Sequence, residues 1–115
     1  NNVVLWPFGL SDKTHKAAQH FNSTVLQNSD GDIDCRTLDS FGLTNVDFVK
    51  IDVDGFELPV LKGASRTLTV NNPVINIEMK RDKRPSLVKK CESILKDLGY
   101  SFFKRTKSDE IWLKQ

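Results

Sequence analysis

Between Val46 and Val53 the chain carries apolar residues on both faces of a short extended run: Phe48, Val49, Ile51 and Val53. Antiparallel strands that face water alternate apolar and polar residues, whereas a strand covered on both sides does not, so this run reads as a buried parallel strand. Gly55 ends it, and a helix is expected from about Phe56 to Leu68. Pro59 fits the first turn, where a missing N–H costs little. Val60, Leu61, Ala64 and Leu68 share one helical face, and Asn71-Asn72-Pro73 stops the element.

The same alternation continues. Val74 to Met79 reads as a second buried strand. Pro85 and Ser86 open a second helix, with Leu87, Val88, Cys91, Ile94, Leu95 and Leu98 on one face and Gly99 as its stop. Tyr100 to Lys104 and Glu110 to Leu113 form a closing hairpin around Thr106-Lys107-Ser108. Upstream, Val3-Val4-Leu5-Trp6 reads as a buried strand running out through Pro7 and Gly9 into a loop. Residues 13–36 read as a hairpin arm with a turn signal at Asp30-Gly31, and Ile33 to Leu38 alternates as an exposed strand does. Asp39-Ser40-Phe41-Gly42 is a short helical turn or loop. Strands alternating with helices imply an α/β fold, a mostly parallel sheet with helices packed on it and a C-terminal antiparallel hairpin.

At 115 residues with 38% hydrophobic content, the chain suits one small domain, 1–115, and is too short for two. Its first residues, Asn1-Asn2, include no initiating methionine and no signal peptide, which reads as a trimmed chain or a fragment. No apolar run reaches the roughly 18 residues of a membrane span. The net charge of +2 gives no reason to expect nucleic acid or an anionic membrane as partner. Lys80-Arg81-Asp82-Lys83-Arg84 is the densest basic stretch, read first as a solvated loop and second as a patch for phosphate or an acidic partner. Cys35 and Cys91 form no paired motif, so a reducing, cytoplasmic setting is the default. Asn22-Ser23-Thr24 matches a glycosylation sequon, read as an ordinary loop.

The chemistry concentrates in Lys50-Ile51-Asp52-Val53-Asp54-Gly55-Phe56-Glu57, at the carboxyl end of a central strand, where open α/β sheets bind ligands. Lys50 shares a face with Phe48 and Asp52, and a lysine inside a buried strand needs a partner. Asp52 and Glu78 are the candidates. Asp52, Asp54 and Glu57 gather around one glycine turn, and such a cluster can hold a hydroxyl, accept a proton or ligate a cation. The plainer reading is an ion-paired strand end with a charged helix start. Glu78 ends the neighbouring strand and should face the same crevice. Asp12, just past the first strand, is a further such position. Asn28 to Asp32 starts like a calcium loop, but its glycine is misplaced and its twelfth position is Asp39. His15 and His20 are off register for a shared zinc, and no metal site is expected. No glycine-rich dinucleotide loop, phosphate loop or nucleophile elbow is present.

Lys50 to Glu57 followed by Val60-Leu61-Lys62-Gly63-Ala64 resembles the signature of FkbM-type methyltransferases. Thr37-Leu38-Asp39-Ser40 upstream and Pro73 to Glu78 downstream stand in that family's order, and Phe8 to Asp12 resembles the strand end that precedes them. Asp54 stands where the family often has Glu. The resemblance implies a partial Rossmann-like methyltransferase fold and methyl transfer from S-adenosylmethionine to an oxygen of a small molecule or sugar. It places Asp12, with Ser11 beside it, on the cofactor's adenine side, and Lys50, Asp52, Asp54, Glu57 and Glu78 on the reacting side, with Asp52 or Asp54 orienting the acceptor. The family's opening strand, glycine-rich turn, helix and second strand are not among these residues. An incomplete domain is therefore expected, with the Val46 to Val53 strand at an open edge that a further strand or a second copy would cover. A noncatalytic assembly domain and a divalent-cation site are the alternatives.

Overall fold

The computed structural model describes residues 2–20, 23–27 and 33–115, with 18–20 and 23–27 given as backbone alone. The strands are β1 (Gly9–Leu10), β2 (His15–His20), β3 (Ser23–Gln27), β4 (Ile33–Arg36), β5 (Phe48–Ile51), β6 (Val74–Glu78), β7 (Tyr100–Thr106) and β8 (Asp109–Lys114). The helices are α1 (Glu57–Lys62), α2 (Ser65–Asn71) and α3 (Pro85–Asp97), with a 3-10 turn at Leu38–Phe41. The strands form two sheets, ordered β1-β4-β2-β3 and β5-β6-β8-β7.

Both sheets are mixed, which corrects the expectation of a mostly parallel one. Among the described residues only β1–β4 and β5–β6 pair in parallel, while β2–β3, β2–β4, β6–β8 and β7–β8 are antiparallel. The reason lies in the closing hairpin. Its last strand, β8, inserts beside β6 and leaves β7 outside, so one reversed strand creates two antiparallel seams. β5, β6 and β7 still run in one direction. The arm is built from β2 paired with β3 and with β4. Asp30-Gly31, the calcium-loop-like stretch and Asn22 lie outside the described residues.

Three further expectations change. β5, read as covered on both faces, is covered on one: the described helices pack against Val49 and Ile51, while Phe48, Lys50 and Asp52 on the other face are exposed. Val3, Val4 and Leu5 form no strand and are exposed. Trp6 stacks on Phe41, with ring centroids 4.4 Å apart. The expected single helix of 56–68 is two helices, α1 and α2, and reaches Asn71. The break at Gly63-Ala64 has a distant cause. Gly63 O accepts the Asp39 N–H at 2.9 Å. The Asp39 carboxylate then caps α2, accepting from Arg66 N–H at 3.0 Å and from Thr67 N–H and Oγ1 at 2.7 Å each. A side chain 28 positions away thus takes over the capping that a local Ser or Asp usually supplies.

Along β6 the burial alternates, with Ile75 and Ile77 inside and Val74, Asn76 and Glu78 on the other face. Ile51, Ile75, Ile77, Tyr100 and Trp112 meet Val60, Leu61, Ala64, Leu68, Val88, Cys91 and Leu95 of the helices in one core. Each fully buried Leu or Ile contributes about 1.5–3 kcal/mol of transfer free energy. Tyr100 Oη donates to Pro73 O at 2.7 Å, which gives this buried hydroxyl its partner. Burial pushes the Cys91 thiol up to about 12, so it behaves as a small hydrophobe. α3 starts with Pro85 at N1, as Pro prefers. Gly99, at φ +89°, turns the chain into β7. No helix among the described residues is long and apolar enough to cross a membrane.

Candidate functional site

β5 and β6 run in register, with Lys50 opposite Asn76 and Ile51 opposite Ile77. That pairing brings the next residue of each strand on the outer face, Asp52 and Glu78, to the same sheet edge. Asp54 joins them because the chain turns sharply: it sits at φ +47°, and Gly55 follows at φ +96°. One carboxylate oxygen from each of Asp52, Asp54 and Glu78 lies within 4.8 Å of the others. Lys80 Nζ faces this group, 3.5 Å from Glu78 Oε1 and 4.0 Å from Asp54 Oδ1. The Glu78 contact is a charge contact without hydrogen-bond geometry, and that oxygen is buried with no hydrogen-bond partner among the described residues. A divalent cation in the cluster would have to displace this ammonium. Lys80 already holds Asp54 and Glu78, so Asp52, exposed and in no ion pair among the described residues, is the free carboxylate.

The other two reacting-side residues are placed differently. Lys50 does not turn to Asp52 or Glu78. Its Nζ pairs with Asp109 Oδ2 at 3.4 Å and its side chain is half exposed, so the burial that demanded a partner is absent. Glu57 is 3% exposed and points back into the turn. Both its oxygens accept the Gly55 N–H, at 3.0 and 3.2 Å. Burial pushes its carboxyl above the ordinary value and the Glu78 charge adds to this, while the Gly55 N–H and Arg84 oppose it. The Arg84 guanidinium lies over the same turn: a Cβ on Gly55 would sit 2.4 Å from Arg84 Nη1. Gly55 is therefore required by its φ, while the guanidinium, the end of a flexible side chain, can swing aside.

Ser11 and Asp12 sit in the first sheet's loop. Ser11 is fully buried. Its hydroxyl donates to Asp12 Oδ1 at 3.1 Å and lies 2.8 Å from His15 Nε2. Its carbonyl packs where a Cβ on Gly63 would be, 2.0 Å away. Asp12 is exposed.

Sequence reasoning took Lys80 and Arg84 only as part of the basic stretch, without placing them beside the carboxylates, and passed over a buried network behind them. Glu110 is fully buried. Arg81 donates to it through Nε at 2.6 Å and Nη2 at 2.9 Å, Arg105 donates through Nη1, and Trp112 Nε1 donates at 3.2 Å. Glu92 also accepts from Arg81, at 3.0 Å. The one signal was the basic stretch itself, read as solvated because each partner lies on another element.

A family model described as the methyltransferase FkbM domain matches residues 4–102. The crystal structure of methyltransferase FkbM from Methylobacillus flagellatus KT superposes with a TM-score of 0.63 at 21% identity, covering 96% of this chain and 28% of that one. At that identity the likeness is one of fold, and this chain spans under a third of that protein. None of the curated proteins matches. With most of its length matched, the chain belongs to the FkbM methyltransferase domain family.

Proposed function

We propose that the chain forms the acceptor side of an S-adenosylmethionine-dependent methyltransferase acting on an oxygen of a small molecule or sugar. The observation that carries this is the convergence of Asp52, Asp54 and Glu78 at the carboxyl ends of β5 and β6. The cofactor is a sulfonium cation, and three carboxylates balanced by one nearby lysine leave an edge of net negative charge, which suits it.

When bound, the cofactor supplies an activated methyl group with a neutral thioether as leaving group. The chain's own part is to position and deprotonate the acceptor. Asp52, in no ion pair among the described residues, accepts the hydrogen bond of the acceptor hydroxyl and takes its proton as the oxygen attacks. Lys80 faces Asp54 and Glu78 and offsets part of their charge. Glu57 and Arg84 brace the Asp54-Gly55 turn. The same reading gives the open edge of β5, which pairs only with β6 among the described strands, to a further strand of the same polypeptide or of a second copy.

The test is labelled-methyl transfer by the whole polypeptide carrying these residues, against a panel of sugars and small hydroxyl compounds. Asp52→Asn should lower the rate about 100-fold or more while calorimetric binding of S-adenosylmethionine stays within a few-fold. An Asp52→Asn protein that transfers methyl at the wild-type rate refutes the assignment.

A further inference from the structure

The turn that carries Lys80 also forms one wall of a second hollow. This cavity of about 330 Å³ is lined by Lys80, Arg81, Asp82, Lys83, Arg105 and Lys107, with Ser108 at its edge. Five of these side chains are cations and one is an acid. The two turns that supply them are tied together: Met79 N–H donates to Ser108 O at 2.7 Å, and Arg105 Nη1 donates to Met79 O at 3.2 Å. Within the first turn, Lys83 and Arg84 N–H both donate to Lys80 O, at 3.2 and 2.8 Å. The cations therefore project from a braced frame rather than from loose loops.

Their charges are not all used. Arg81 and Arg105 share Glu110 at the back of the hollow, and Lys80 reaches Glu78 and Asp54. Lys83 and Lys107 form no ion pair among the described residues. Lys107 also holds a left-handed backbone, φ +56°, in a turn where glycine or asparagine is the relaxed choice. A larger hollow of about 530 Å³ along α3 differs: Arg81 and Lys96 there both pair with Glu92, which leaves Lys89 as its one cation in no ion pair among the described residues.

We infer that this hollow binds a phosphoryl group, and that the group is the anionic tail of the methyl acceptor. The placement argues for a tail rather than an independent ion. Lys80 lines the hollow and also faces Glu78 and Asp54, so the hollow and the carboxylate cluster adjoin through that lysine. Arginine forks and lysines around a small concavity suit a phosphate monoester, and the volume admits a phosphate with part of a sugar. This inference rests on the acceptor-side reading of Asp52, and the substrate class it adds is a phosphorylated sugar or similar phosphate monoester.

Equilibrium dialysis of the whole polypeptide against inorganic phosphate, a hexose monophosphate and the uncharged hexose, at constant ionic strength, tests it without needing activity. The expected result is saturable binding of the hexose monophosphate, tighter than inorganic phosphate, with none of the plain hexose. The surface variant Lys83→Ala/Lys107→Ala should weaken that binding about tenfold or more with an unchanged circular dichroism spectrum. Non-saturable binding, or binding that the double variant leaves intact, overturns the site. Inorganic phosphate binding as tightly as the sugar phosphate overturns the acceptor tail. Methyl transfer by Asp52→Asn tests the base and hexose monophosphate binding by Lys83→Ala/Lys107→Ala tests the hollow, so a failure of either reading is seen independently of the other.

Discussion

Gly63→Ala should damage this protein far more than a single methyl group in a helical position normally does. Gly63 has φ −77° and ψ −3°, a conformation any residue adopts. Backbone preference therefore favours alanine, by about 0.4–1 kcal/mol through the unfolded chain. Sterics oppose it. The new Cβ would lie 2.0 Å from Ser11 O, 3.0 Å from Ser11 C and 3.2 Å from Thr37 Cβ. Carbon and carbonyl oxygen approach no closer than about 3.3 Å in ordinary contacts, so something must move by ~1.3 Å. Ser11 cannot retreat alone. It is fully buried, and its N–H donates to Arg36 O at 2.8 Å. Gly63 cannot retreat either without losing the Asp39 N–H that its carbonyl accepts. The first sheet and the helices after β5 must separate together. Overpacking of this kind costs about 1–3 kcal/mol and sometimes more, and the absence of slack places this case near 3. For a domain of this size that is a fall in Tm on the order of 15 °C. Thermal unfolding followed by circular dichroism measures it. Gly42→Ala is the matched control: nothing lies within 4 Å of its Cβ, but its φ is +60°, so only a conformational cost of about 1–2 kcal/mol should appear. A Gly63→Ala protein melting within about 2 °C of wild type would refute the close-contact account.

Two further outcomes follow from the buried acids. Glu110→Ala should destabilise by about 3 kcal/mol in urea unfolding, because Arg81 and Arg105 then face each other without their shared carboxylate; the lower end of the usual range applies since both arginines reach solvent, and a loss under about 1 kcal/mol would show the network to be dispensable. Glu57 governs a pH effect, since burial raises its folded-state value above the ordinary 4.5. On raising the pH the unfolded chain releases this proton first, so the stability tied to the protonated acid is full below about pH 4.5 and is lost as pH climbs through the folded value. Glu57→Gln should therefore gain on wild type in urea unfolding between about pH 4 and pH 7, and a constant difference across that range would contradict the buried-acid reading.

The sequence by itself determined the elements whose causes are local. Apolar periodicity and the stops at Asn72-Pro73 and Gly99 marked β5, β6, α3 and the closing hairpin, because period, φ preference and missing donors act within a few residues. The strand-end motif from Lys50 to Glu57 pointed to the family, and its spacing to Glu78 announced carboxylates at one edge. Tertiary structure decided everything that depends on a partner far along the chain. The helix broke at Gly63 because Ser11 and Asp39 press on it. Lys50 paired with Asp109, 59 residues on, because β8 inserts beside β6. The basic stretch became a framed hollow only when the β7–β8 turn closed over it. Local rules do not see such contacts, since a charge or a carbonyl acts through space at a few ångströms whatever its distance in sequence. Which carboxylate stays free was settled in the same way, by where Lys80 comes to rest.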